Sequence, residues 1–282
     1  MRVLVTGVKG QLGYDVCKEL CRRGIENIGT DLADFDITDQ TATHDFILNY
    51  RPDAVVHCSA WTAVDAAEDE PDKVTAVNVD GPRYIAQVCK EIDAKMIYIS
   101  TDYVFPGEGD TFYDVEDETG PTSVYGWTKL GGEKSVTELL EKYFIVRISW
   151  VFGENGNNFV RTMLRLAETR DELGVVCDQI GSPTYTADLA PLLCDMLESE
   201  KYGVFHATNE GVCSWAEFAE EIFRVAGKSV KVNHILSKDY PAKAKRPLNS
   251  RLSKASLDRA GFSRLPSWED ALERYIKILE TK

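Results

Sequence analysis

Val3-Leu4-Val5-Thr6-Gly7-Val8-Lys9-Gly10-Gln11-Leu12-Gly13 stands at the start of the chain. Apolar β-formers run into glycines at positions 7, 10 and 13, and helical periodicity follows from about Gln11 to Arg23. A strand, a glycine-rich turn and a helix, in that order, hold a dinucleotide pyrophosphate. Glycine lets the backbone turn tightly and approach the phosphates, and the helix N-terminus presents unpaired N–H groups to them. A glycine triplet alone is a weak signal, since any turn with positive φ selects glycine. Its place directly after the first strand gives it weight. Gly7, Gly10 and Gly13, with Gln11 and Leu12 between them, are therefore the expected cofactor cradle.

The same rhythm continues to about residue 150. Apolar runs at 25–30, 54–58, 96–99 and 144–147 alternate with helical stretches at 42–50, 74–91 and 125–140. Short strands each followed by a helix predict an α/β fold, a Rossmann-type doubly wound parallel sheet covered on both faces. Beyond Trp150 the rhythm breaks. Helices are expected at about 159–169 and 186–198, after the cap Ser214 as far as Gly227, and after Ser267; Ser214 with Glu217 forms a capping-box pattern. Residues 237–253 carry Pro241, Pro247 and the cations Lys238, Lys243, Lys245, Arg246 and Arg251, which predicts an extended loop. The expected division is a dinucleotide-binding domain over 1–153, to which about 184–202 returns, and a smaller C-terminal α/β substrate-binding domain over about 154–183 and 203–282.

The second informative stretch is Tyr125-Gly126-Trp127-Thr128-Lys129, preceded by Ser100-Thr101-Asp102-Tyr103. A phenol and an amine four residues apart share one helix face, so the ammonium is expected to lower the phenol's pKa. Tyr125 is the expected general acid, Lys129 its cationic neighbour, and the Thr101 hydroxyl the group that holds a substrate carbonyl. At the end of the second strand, Asp31 is placed to accept hydrogen bonds from a ribose 2′-hydroxyl and to repel a 2′-phosphate, which favours NADH over NADPH. Asp36 and Ile37 follow it. Ser59-Ala60-Trp61-Thr62 comes after the 54–58 strand, where ligands of doubly wound sheets collect.

Bulk properties exclude other classes. A formal net charge of −14 leaves no excess of Lys and Arg to displace phosphate counterions, so a general nucleic-acid binder is not expected. No run of about 18 apolar residues and no signal-peptide pattern is present, which predicts a cytoplasmic protein without a membrane partner. Seven scattered cysteines, with no CxxC, read as free thiols. None of the four histidines lies in a metal-binding motif, so each is expected to be structural, and no resident metal site is expected.

Gly7-x-x-Gly10-x-x-Gly13 with Tyr125-x-x-x-Lys129 resembles the extended short-chain dehydrogenase/reductases. Within them, several segments resemble the dTDP-4-dehydrorhamnose reductase family. These are Ser59 to Asp65, Ser100 to Gly107, Ser149-Trp150-Val151, Gly156 to Phe159 and Arg246 to Ser250, and together they cover nearly the whole chain. The resemblance implies reduction of dTDP-4-dehydro-6-deoxy-L-mannose to dTDP-L-rhamnose with NADH or NADPH. It implies cofactor contacts at Gly10, Gln11, Leu12, Asp31, Asp36, Ile37, Ala60, Trp61, Thr62, Ile99, Tyr125 and Lys129. It implies substrate contacts at Thr101, Asp102, Trp150 and Arg246, with Lys243 and Lys245 as further candidates for the diphosphate. Some relatives form homodimers through Mg²⁺ held by glutamates; Asp15 stands at one such position and the others are not matched, which leaves the metal-linked form unsupported. The rival expectations are an NAD-dependent epimerase or dehydratase on the same fold, and a non-catalytic regulatory subunit of methionine adenosyltransferase. The intact Tyr125/Lys129 pair argues against the latter.

Overall fold

A computed structural model describes residues 1–281. The chain first lays down five parallel strands, β1 (Arg2–Thr6), β2 (Glu26–Thr30), β3 (Ala54–His57), β4 (Lys95–Thr101) and β5 (Tyr143–Ile148). The crossovers are α1 (Gln11–Arg22), α2 (Gln40–Tyr50), the short α3 (Val64–Ala67) and α4 (Pro71–Thr75), α5 (Gly81–Glu91) and α6 (Val124–Thr137). It then runs through β6 (Val151–Phe152), α7 (Phe159–Leu166), β7 (Glu172–Val176), β8 (Ile180–Gly181) and β9 (Thr184–Tyr185). Next come α8 (Thr186–Leu197) and β10 (Gly203–His206), which rejoin the first part of the molecule. The remainder is β11 (Cys213–Ser214), α9 (Trp215–Val225), β12 (Lys231–Ile235), β13 (Asn249–Ser250), α10 (Ala255–Ala260) and α11 (Trp268–Glu280).

The large sheet has the order β10-β5-β4-β3-β1-β2, every pair parallel. Because β2 lies on one side of β1 and β3 on the other, the connections leaving the two strands diverge. That switch point opens a crevice beyond the strands' C-terminal ends. β1 and β3 are apolar on both faces, as a strand covered by two helical layers must be. One layer packs Leu12, Val16 and Leu20 of α1 with Leu189 and Leu193 of α8 against Val3, Val5 and Val56. On the other side Ile47 of α2, Ile85 of α5 and Val136 of α6 meet Leu4, Val55 and Ile145. A separate apolar cluster, including Phe152, Tyr185, Phe218, Trp268 and Tyr275, forms the core of the second lobe.

Two expectations need correction. The stretch 74–91 is not one helix: Ala76–Asp80 winds as a π-turn between α4 and α5. There Asn78 turns inward, accepts from the Trp61 amide at 2.8 Å and donates to Thr128 Oγ1 at 3.2 Å. The boundary at 203 also cuts through the sheet. Gly203–His206 pairs with Phe144–Arg147 of β5, and Leu257 of α10 joins the large sheet's core. Val204 and Phe205 suit a strand, but only long-range register says which sheet it joins.

Candidate active site

The cleft above the switch point encloses about 1290 Å³. Gly7 sits at φ +72, and a Cβ there would come within 2.8 Å of the Ser59 amide. A Cβ on Gly13 would collide with the Gly7 carbonyl. These two positions therefore bring α1, the turn and the 59–62 loop to a closeness that no side chain allows. Gly10 is the N-cap of α1 without a side-chain cap, and Gly10, Gln11 and Leu12 line the cleft. The first turn of a twelve-residue helix thus presents free N–H groups to the space, a fit for a pyrophosphate. Residues of the second lobe brace the turn: Asn155 donates to the Lys9 carbonyl at 2.8 Å and Asn158 to Gln11 Oε1 at 3.0 Å.

Asp31, Asp36, Ile37, Ala60, Thr62 and Ile99 line the same cleft. Both Asp31 oxygens already accept backbone amides, Oδ2 from Lys9 at 3.0 Å and Oδ1 from Leu32 at 2.9 Å. Trp61 does not line the cleft: its amide is clamped by Asn78 and its indole donates to the Ala63 carbonyl at 3.3 Å. Gly13 also lies beneath the cleft rather than on its wall.

The opposite wall carries the chemistry. Ser123 caps α6 and accepts from Gly126 N at 3.2 Å. A Cβ on Gly126 would meet the Tyr103 carbonyl, so glycine lets α6 lie against the end of β4. Tyr125, Lys129, Thr101 and Asp102 all reach the cleft. Burial pushes the Tyr125 phenol well above the usual range, against the lowering influence of the Thr101 hydroxyl. Lys129 does not offset that push. Its ammonium bonds the Ile99 carbonyl at 2.6 Å and lies 4.1 Å from the Tyr98 ring centroid. Burial brings Lys129 down to about 7, against the opposing pull of Glu133. The expectation that Lys129 lowers the phenol is therefore not met in this arrangement; burial, the dominant influence, keeps Tyr125 protonated, the form an acid needs.

Asp102 is 3% exposed and takes both neighbouring hydroxyls, Thr101 Oγ1 on Oδ1 at 2.9 Å and Ser250 Oγ on Oδ2. Burial raises its carboxyl to about 6, against these bonds. Trp150 holds φ +50, a region costly for a bulky residue. It stacks on Trp215 with centroids 3.8 Å apart, and Gly181 leaves room for its ring. Arg246 lines the cleft, its Nη2 on Asp65 Oδ2 at 2.7 Å and its Nε buried without a partner. Lys243 and Lys245 do not line it; they pair with Asp69 and Glu108. Arg170 at the mouth is a cation that sequence reasoning missed, as it missed Trp215 and Ser250. Trp215 follows a helix cap on an apolar face and so reads as core; Ser250 carries no signal in sequence.

None of the four histidines lines the cleft. His57 and His206 are buried, and burial lowers both to about 3, so they stay neutral. Asp15 is buried and accepts the Thr186 hydroxyl, away from any exposed surface that could share a metal. Among the described residues no cluster of three metal-ligating side chains occurs, and no helix is long and apolar enough to cross a membrane.

A doubly wound sheet with a glycine turn at its switch point, and a tyrosine–lysine helix facing it, defines an extended short-chain dehydrogenase/reductase. Residues 1–281 match the model of the RmlD substrate binding domain, and the chain belongs to that family. It is 41% identical over 276 residues to the spore coat polysaccharide biosynthesis protein SpsK of Bacillus subtilis, covering 98% of this chain and 97% of that one. It is also 41% identical over 285 residues to the dTDP-4-dehydrorhamnose reductase of Aggregatibacter actinomycetemcomitans, covering 96% and 97%. The crystal structure of the Bacillus anthracis dTDP-4-dehydrorhamnose reductase in complex with NADP superimposes with a TM-score of 0.96 at 42% identity, over 98% of this chain and 99% of that one.

Proposed function

We propose that this protein reduces the C4 ketone of dTDP-4-dehydro-6-deoxy-L-mannose to give dTDP-L-rhamnose, with NADH or NADPH as reductant. The observation that carries the reading is the Tyr125 phenol, held protonated by burial and facing, together with Thr101, a cleft floored by the glycine turn. A reduced nicotinamide, when bound in this cleft, would supply the hydride. Gln11 and Leu12 would hold the pyrophosphate through the free N–H groups of the first helical turn, Gly7 and Gly10 giving it room, and Asp31, Asp36, Ile37, Ala60 and Thr62 would enclose the adenosine side. Thr101 and Tyr125 hold the substrate oxygen, and Tyr125 gives it a proton as negative charge develops there. Trp150 packs the sugar, and Arg246, with its unused Nε donor, meets the diphosphate. The NADP held by the Bacillus anthracis relative supports use of NADPH beside the NADH that Asp31 favours.

The test is consumption of NADH and NADPH, followed by absorbance, with a dTDP-4-keto-6-deoxy sugar, and product configuration at C4 read by NMR. Stoichiometric oxidation of the nicotinamide is expected. Turnover with no net oxidation would make the protein an epimerase or dehydratase instead.

A further inference from the structure

The glycine turn is gripped from the second lobe by one side-chain amide. Asn158 caps α7, its Oδ1 accepting from Arg161 N at 3.0 Å. Its Nδ2 donates to the Gly153 carbonyl at 3.0 Å. A backbone N–H only donates and a carbonyl only accepts, so these two groups fix which end of the amide is oxygen. The same Nδ2 meets Gln11 Oε1 at 3.0 Å and Tyr275 Oη at 2.9 Å. Turning the Gln11 amide over would set its nitrogen against this donor, so Asn158 decides which way Gln11 faces. Gln11 Nε2 is left on the far side of a planar amide, without a protein partner among the described residues. Its residue opens α1 and lines the cleft. We propose that Asn158 is a positioning residue for the cofactor: by holding Gln11 Oε1, it presents Gln11 Nε2 as a side-chain donor to the pyrophosphate, beside the free N–H groups of the helix.

The core of the second lobe stands behind this grip. Tyr275 of α11 is fully buried, and its Oη also accepts from Arg161 Nε at 3.1 Å. Arg161 Nη2 donates to the Glu154 carbonyl at 2.8 Å. Asn158, Arg161 and Tyr275 together tie the loop 153–158 to α7 and α11. Gly156, at φ +81, lets that loop pass close over the glutamine stem: a Cβ there would lie 3.6 Å from Gln11 Cγ. A glutamine free to rotate would lose its rotamer entropy when the cofactor arrives. Here packing and the Asn158 bond have fixed it beforehand, so more of the new bond appears as affinity. A donor meeting a charged phosphate is also stronger than one meeting a neutral acceptor.

The inference rests on the nicotinamide cofactor of the reductase reading, and binding measured without sugar nucleotide separates the two. Titrations of NADH and NADPH, read by nucleotide fluorescence, are expected to show affinity about tenfold weaker in Asn158→Ser, which keeps a cap for α7 and withdraws the Nδ2 donor. Gln11→Ala is expected to lose about as much, and the double variant no more than either alone, because the two side chains act as one unit. An asparagine that merely stabilised its loop would give losses that multiply in the double variant. That result, or wild-type affinity in the single variants, would overturn the positioning role. If Asn158→Ser fails to fold, Gln11→Ala carries the test, and unchanged affinity there overturns the proposal equally. Wild-type protein that binds a nicotinamide nucleotide and never oxidises it with sugar nucleotide present would remove the reductase reading and leave this assignment standing.

Discussion

Glu133 and Asp102 are both buried carboxylates near the end of β4, and they are treated in opposite ways. Glu133 meets Arg147 in a two-point fork, at 2.9 Å to Nε and 2.8 Å to Nη2, and accepts Ser100 Oγ at 2.5 Å. Its exposure is 5% and that of Arg147 is 4%. The fork ties α6 to β5 directly beneath the helix turn that carries Lys129. Asp102 is given hydroxyls and backbone amides and no cation. The fully paired group fixes geometry and has no reason to change charge. The unpaired one sits beside the phenol with its proton affinity moved toward neutrality, which is a setting for proton exchange rather than for stability.

The largest effect expected on this contrast is catalytic. Tyr125→Phe is expected to lower kcat by roughly 10²–10⁴ while cofactor titration is unchanged; an unaltered turnover number would take the phenol out of the chemistry. On the paired side, Arg147→Met leaves Glu133 buried without its cation and costs about 3–5 kcal/mol in urea unfolding, most of it recovered when Glu133→Leu is added. A single variant as stable as wild type would show that the fork is not structural.

A third measurement compares stability with pH. Asp102 holds its proton to about 6 in the folded protein and 3.8 in the unfolded chain, so the native state binds more protons between those values. Its contribution is fully present below 3.8 and is lost as pH rises through about 6, a total on the order of 3 kcal/mol. Asp102→Asn should flatten the stability curve relative to wild type in that window alone; parallel curves would contradict the assignment. The smallest effects fall at the strap across the cleft. Arg246→Ala is expected to raise the KM for the sugar nucleotide roughly tenfold, whereas Lys243→Ala and Lys245→Ala, whose charges are spent on exposed pairs, should move it less than about twofold. Equal effects from all three would mean that the diphosphate lies outside the cleft wall.

What the sequence disclosed was what local spacing controls. The glycines at 7, 10 and 13 must recur every third residue for the turn to close under the helix, and Tyr125 and Lys129 must lie four apart to share a face. What it concealed depends on partners far along the chain. Asn78 breaks a regular helix because Trp61 and Thr128 claim its amide. The lysine ammonium follows the Ile99 carbonyl rather than the phenol, a choice between acceptors that helical spacing does not decide. β12, with the pattern Lys-Val-Asn-His-Ile, exists through its parallel register with β7; alternate polar residues gave no warning of it. Ser250 reaches Asp102 from 148 positions away, and no composition or period marks it.

The sixth strand of the large sheet has a consequence for how the chain is made. Gly203–His206 covers the edge of β5, yet β6, α7 and β7 to β9 of the other lobe, and then α8, are synthesised in between. A nascent chain stopped at about 153 therefore carries a bare parallel edge, open to pairing with other chains. The first lobe cannot finish before part of the second has emerged from the ribosome. Fragments cut between the lobes should accordingly be recovered together or as aggregates, and a gene split there would need both halves in the same cell to give soluble protein.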